Sequence, residues 1–160
     1  MAENNDRYNR NYPISWEQLH RDSKALSWRL HDRQEEWKGI VAVTRGGLVP
    51  AAVIARELGI RYIDTVCITS YDWKEQGETE ILKKVDGSGD GLLIIDDLVD
   101  TGLTARVVRK MLPDAYFATV YAKPAGKPMV DAYVTEVSQD TWILFPWDSE
   151  SQFVEPIAGK

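Results

Sequence analysis

The sequence predicts an α/β fold in one domain, with a mostly parallel central sheet flanked by helices, and three observations predict it. Residues 39–44, 63–69, 92–95 and 115–122 are short apolar runs without strict alternation, the form of strands buried on both faces. Segments of helical period separate the first run from the second and the third from the fourth. The chain has 160 residues, 44% of them hydrophobic, which gives room for a single core. Such alternation implies right-handed crossovers with helices on both faces of the sheet.

Taken in order, residues 1–14 are polar and without hydrophobic period, which predicts a flexible N-terminal arm; the folded domain is expected over 15–160. Ser15-Trp16-Glu17-Gln18 fits a capping box, with the Ser15 hydroxyl on the Gln18 amide, and Trp16, Leu19, Leu26 and Leu30 follow at helical spacing. The run 39–44 is the first strand and ends at Arg45-Gly46-Gly47. Residues 50–58 read as a helix closed by Gly59. The run 63–69 completes a βαβ unit. From 71 to 91 the chain is charged and glycine-rich, which predicts a long excursion carrying a short hairpin. A third strand over 92–95, a helix over 102–111 and a fourth strand over 115–122 make the second unit. Residues 133–137 and 142–145 add short extensions.

The net charge of −6 excludes broad nucleic-acid binding, which rests on clustered Lys and Arg, so no nucleic-acid partner is expected and any polyanionic ligand must be met locally. The only cysteine, Cys67, lies in an apolar run and cannot form an internal disulfide. No apolar stretch approaches the roughly 18 residues of a membrane span, and the first residues lack the order of a signal peptide, so a cytoplasmic location is expected.

In an open α/β sheet, ligands bind beyond the carboxyl ends of the strands. Arg45-Gly46-Gly47, Ser70-Tyr71-Asp72, Asp96-Asp97 with the loop to Thr104, and Lys123-Pro124 all fall at such ends. Two adjacent carboxylates after a β-branched strand repel unless a cation or hydroxyl donors compensate, so Asp96-Asp97 points to a metal or a sugar. Strand alternation aims the two in opposite directions. Asp100-Thr101-Gly102-Leu103-Thr104 then supplies hydroxyls, successive backbone N–H groups and a helix N-terminus, a receptor for phosphate. An isolated Asp-Thr-Gly would be read as a helix cap. The strand and the acidic pair before it favour the phosphate reading.

The run from Leu93 to Thr104 resembles the phosphoribosyl-diphosphate motif of type I phosphoribosyltransferases. Thr44-Arg45-Gly46-Gly47-Leu48-Val49-Pro50, Thr69-Ser70-Tyr71-Asp72, Lys123-Pro124-Ala125-Gly126 and Asp140-Thr141-Trp142-Ile143 are similar to the bacterial xanthine-guanine branch of that family, and the likeness covers nearly all of 15–160. The resemblance implies a small hood and a flexible loop on the sheet, and a purine-salvage reaction. In that reaction guanine or xanthine, and hypoxanthine less well, displaces pyrophosphate from 5-phosphoribosyl 1-diphosphate to give GMP, XMP or IMP. A hypoxanthine-preferring transferase and a non-enzymatic phosphoribosyl-diphosphate sensor are the alternatives. The sensor would need a basic face or an added domain.

The resemblance also assigns roles. Arg45, Gly46, Asp96, Asp97, Leu98, Val99, Asp100, Thr101, Gly102, Leu103 and Thr104 would bind phosphoribosyl diphosphate, with Asp100 as general base near the purine N7. Lys123 would meet the purine O6, Trp142 would stack on the base, and the Ile143 main chain would take its 2-substituent. By itself Lys123 would be read as a snorkelling surface residue. Magnesium is the implied cofactor, held by Asp97 with Asp148. The Arg45–Gly46 peptide is the implied cis bond. Where the family carries a loop arginine, the sequence has Gly77, with Lys74 as a substitute lacking the bidentate fork. A homodimer or homotetramer and a weak peripheral contact with the inner membrane are further implications of the family.

Overall fold

The computed structural model describes residues 8–70, 79–148 and 154–159. Its main sheet has six strands: β2 (Gly39–Thr44), β3 (Ile63–Ser70), β4 (Thr79–Lys83), β5 (Leu92–Val99), β6 (Tyr116–Ala122) and β7 (Ala132–Glu136), in the spatial order β4-β3-β2-β5-β6-β7. All neighbours are parallel except β4, which pairs antiparallel with β3, so among the described residues the excursion over 71–91 contributes one arm of a hairpin whose other arm is β3, and not a hairpin of its own. A second, two-stranded sheet pairs β1 (Arg10–Pro13) in parallel with β8 (Thr141–Leu144). It forms the small hood.

The arm expected over 1–14 therefore needs correction at its end. Residues 10–13 are a strand, because β8 offers a parallel edge and the backbone pairs from Arg10 with Thr141 to Pro13 with Leu144. Tyr12 adds its hydroxyl as acceptor to the Gln18 side chain at 2.9 Å. Residues 1–7, and the loop with Lys74 and Gly77, lie outside the described residues.

Helix α1 (Trp16–His31) starts as its cap predicts, with the Gln18 amide donating to Ser15 Oγ at 3.1 Å. Leu19, Leu26 and Leu30 are buried, whereas Trp16 is 56% exposed and meets the edge of Trp147. Helix α2 (Leu48–Leu58) begins two residues earlier than its periodicity indicates and ends at Gly59 in the left-handed conformation. Helix α3 (Leu103–Met111) buries Ala105 and Val108.

The two faces of the sheet hold separate cores. Ile40, Ala42, Leu93 and Ile95 pack with α1 and α2, while Val41, Val43 and Ile94 pack with α3. This is the alternation of side chains along β2 and β5 made visible. The chain leaves β2 through α2 towards β3 on one side, and leaves β5 through α3 towards β6 on the other. The order reverses between β2 and β5, so the ligand crevice belongs at their carboxyl ends. Among the described residues, no helix is long and apolar enough to cross a membrane.

Candidate active site

A cleft of about 720 Å³ opens at that reversal, within the size of small-molecule sites. Its lining brings together Arg45, Gly46, Asp97, Leu98, Asp100, Lys123, Trp142, Ile143 and Asp148, which are distant in sequence. A second hollow of about 120 Å³ adjoins it, formed by Asp96, Leu98, Val99, Asp100, Thr101, Gly102, Leu103 and Thr104 with Ala105 and Phe117. Arg45, Gly46, the run from Asp96 to Thr104, Lys123, Trp142, Ile143 and Asp148, all singled out from the sequence, thus line one of two adjoining spaces.

The acidic pair divides as alternation requires. Strand β5 runs on through Val99, so Asp96 continues the face of Ile94 and lines the hollow at the head of α3. Asp97 continues the face of Ile95 and lines the cleft. Burial pushes the Asp96 carboxyl well above the usual carboxylate range, and the Asp97 charge adds to it. Asp96 Oδ1 accepts the Asp97 amide at 2.8 Å. Burial likewise raises Asp97 to about 6, with Asp148 adding its charge, against hydrogen bonds that favour ionisation. Asp148 is itself raised by burial and pulled back by an amide bond from Phe145 and by Arg45. Burial leads all three shifts, and Asp96 and Asp97 each also feel the charge of a neighbouring carboxyl.

Gly46 is fixed by close approach. A Cβ there would lie 2.2 Å from Asp97 Oδ2. The glycine is needed for the carboxylate of β5 to reach the loop after β2. The implied cis bond is corrected by one position: it joins Thr44 to Arg45, and Arg45–Gly46 is trans.

At the head of α3 the cap reading fails. The N-terminal residue is Gly102, at φ +89°, which only glycine adopts freely, and no side chain caps the helix. Thr101 Oγ1 comes only to 3.5 Å from the Leu103 amide. Asp100 turns the other way. Its Oδ2 accepts Lys123 Nζ at 3.0 Å, and its Oδ1 accepts Gln139 Nε2 at 2.7 Å. Thr101 to Thr104 at the head of α3 line the hollow, an arrangement that suits a phosphate.

Lys123 is the clearest departure from ordinary behaviour. Instead of snorkelling it is 1% exposed, at the carboxyl end of β6, where its amide donates to Val99 O at 2.9 Å. A buried ammonium needs partners. Asp100 is one. Trp142 is 40% exposed and Ile143 is buried, both on β8, so the hood supplies the wall opposite.

Two residues escaped the sequence reading. Gln139 holds Asp100 and accepts the Ala125 amide on Oε1 at 2.9 Å. It directly precedes the Asp140–Ile143 motif, but no spacing links it to Asp100. Tyr8, in the supposed arm, donates its hydroxyl to Asp100 Oδ2 at 2.7 Å.

The chain is similar to known proteins along most of its length. The phosphoribosyl transferase domain model matches residues 15–153. The xanthine-guanine phosphoribosyltransferase of Desulfotalea psychrophila is 69% identical over 156 residues, covering 97% of each chain. That of Nitratidesulfovibrio vulgaris is 65% identical over 156 residues, covering 97% of this chain and 95% of its own. The crystal structure of a purine phosphoribosyltransferase from Pyrococcus horikoshii superposes with a TM-score of 0.76 at 27% identity, over 91% of this chain and 99% of that one.

Proposed function

This chain belongs to the phosphoribosyl transferase family, and on that premise we propose that it joins guanine and xanthine, and hypoxanthine less well, to 5-phosphoribosyl 1-diphosphate. The single observation that carries the base preference is the buried Lys123 ammonium beside Asp100, opposite Trp142. An ammonium donates and cannot accept, so it matches the carbonyl of a 6-oxopurine and opposes the amino group of adenine. A buried donor left without its acceptor makes that discrimination steep.

In this reading the amides of Thr101 to Thr104 and the head of α3 hold the 5′-phosphate, Asp96 and Asp97 take the ribose hydroxyls, and Arg45 faces the departing pyrophosphate. The base stacks on Trp142, with its 2-substituent towards the main chain at Ile143. The purine N9 forms a bond to C1 as the bond from C1 to the pyrophosphate oxygen breaks. Asp100 accepts the N7 proton of the base. Positive charge that grows on the ribose ring is met by the carboxylates beside it.

The residues present fit magnesium in the way that ion usually binds. Among the described residues, no group of three His, Cys, Asp or Glu could form a complete cage. Asp97 and Asp148 line one cleft, and each is raised above the ordinary carboxylate range. One or two carboxylates sharing an ion with substrate oxygens is the magnesium pattern. Bound there, the ion would neutralise charge on the pyrophosphate. The family's association into dimers or tetramers and a cytoplasmic location belong to the same reading.

The test is a ranking of bases. With Mg²⁺ and phosphoribosyl diphosphate, guanine and xanthine should give nucleotide fastest, hypoxanthine more slowly and adenine least. Nucleotide formation from adenine at a rate comparable to guanine would remove Lys123 from its role.

A further inference from the structure

The aromatic ring of Tyr8 contacts Asp100, Lys123 and Trp142, the three side chains that the proposed function gives to the purine. Its hydroxyl donates to Asp100 Oδ2, the carboxylate oxygen that also receives Lys123. Lys123 Nζ lies 4.4 Å from the centroid of the ring, and Trp142 meets it edge to face with centroids 5.0 Å apart. The ring thus engages the three side chains that the proposed function assigns to the base, but in its own geometry, with Lys123 over its face and Trp142 at an angle of 65° rather than stacked.

The backbone is anchored just beyond the tyrosine. The Asn9 and Arg10 amides both donate to Asp140 O, at 2.9 and 3.3 Å, and from Arg10 onward β1 runs along β8, the strand that carries Trp142 and Ile143. Tyr8 is therefore two residues ahead of a strand anchored to the hood. The pairing of β1 with β8 begins at Arg10, so the position of the Tyr8 side chain is not fixed by strand pairing.

We propose that Tyr8 is an intramolecular competitor of the purine, one that fills the base subsite of the free enzyme and must swing out before guanine or xanthine can enter. The proposal rests on the base subsite assigned above. Its consequence is arithmetic. If the ring fills the site in a fraction of molecules, the apparent affinity for base falls by the fraction left open, while the phosphate hollow is untouched. It gives the arm a part in setting the working concentration range for the base.

Steady-state kinetics of Tyr8→Ala and Tyr8→Phe, with base and phosphoribosyl diphosphate varied separately, test this. Tyr8→Ala should lower the KM for guanine and xanthine by roughly three- to tenfold, since a site open only a tenth to a third of the time weakens apparent binding by that factor. Tyr8→Phe, which keeps the ring and loses the bond to Asp100, should fall between it and the parent. The KM for phosphoribosyl diphosphate should stay as it was. GMP, which carries the base into the same subsite, should bind more tightly to Tyr8→Ala by a similar factor in calorimetry. An unchanged KM for base in both variants overturns the proposal. A raised KM also overturns it, because the ring would then cover the bound base rather than take its place. A parent enzyme that transfers no purine at all would overturn the proposed function instead.

Discussion

Gln139 Nε2 donates to Asp100 Oδ1 at 2.7 Å while Gln139 Oε1 accepts the Ala125 amide at 2.9 Å. The second bond fixes which end of the amide faces the carboxylate, since only the oxygen can accept from an N–H. Asp100 is thereby held by a neutral donor on one oxygen and keeps the other for Lys123 and, in the proposed reaction, for the base.

A general base must be aimed as well as ionised, so Gln139 acts as a positioning residue. Gln139→Leu keeps much of the volume and removes both bonds. We expect kcat to fall by roughly ten- to a hundredfold, as misplacement by an ångström can cost about a hundredfold, with the KM for phosphoribosyl diphosphate unchanged. Gln139→Glu, which sets a second carboxylate against Asp100, should lose more than Gln139→Leu. Equal kcat in all three proteins would make the contact incidental.

The sheet and the substrate loops were legible because their signals are local. A buried strand such as 39–44 is apolar throughout, and the loop from Asp96 to Thr104 carries its strand, acidic pair and helix start within a few residues. Sequence alone left Lys123 between a solvent-facing residue and a buried donor, and only the approach of β5 to β6 decides it. Gln139 and Tyr8 reach Asp100 from 39 and 92 residues away, so no spacing could reveal them. The arm read as polar and therefore free, yet its last residues are ordered by backbone pairing, to which side-chain polarity gives no clue.

Gly46→Ala should damage the site while sparing the fold. The added Cβ would lie 2.2 Å from Asp97 Oδ2, 2.5 Å from Cγ and 2.8 Å from Oδ1, so the whole carboxylate must move or the loop must shift. Pairing of β2 with β5 stops at Ala42 with Ile95, short of both residues, and stays intact. Overpacking of this kind costs about 1–3 kcal/mol. Circular dichroism should match the parent, and the KM for phosphoribosyl diphosphate should rise by roughly tenfold, the equivalent of about 1.4 kcal/mol in binding. A parent-like KM would show that Asp97 can move without loss to the substrate.

The raised carboxyl of Asp97 gives the free protein a pH dependence whose sign can be worked out. Asp97 titrates at about 6 in the folded chain against an ordinary 3.8, mainly because it is buried. Between those values the folded chain keeps a proton that the unfolded chain has released, so stability falls as pH rises through this window and the full cost is present above about pH 6. Asp97→Asn cannot ionise. Without ligands it should be more stable than the parent at pH 7.5, by roughly 1–2 kcal/mol, and the advantage should shrink through pH 5.5 and vanish near pH 4. With Mg²⁺ and phosphoribosyl diphosphate at saturation the order should reverse, since the ionised carboxylate then gains its partner and ligand binding stabilises the parent more. Thermal unfolding at the three pH values, with and without these ligands, reads both effects. A variant less stable than the parent at every pH without ligands would mean that Asp97 is held by bonds to its ionised form that outweigh its burial.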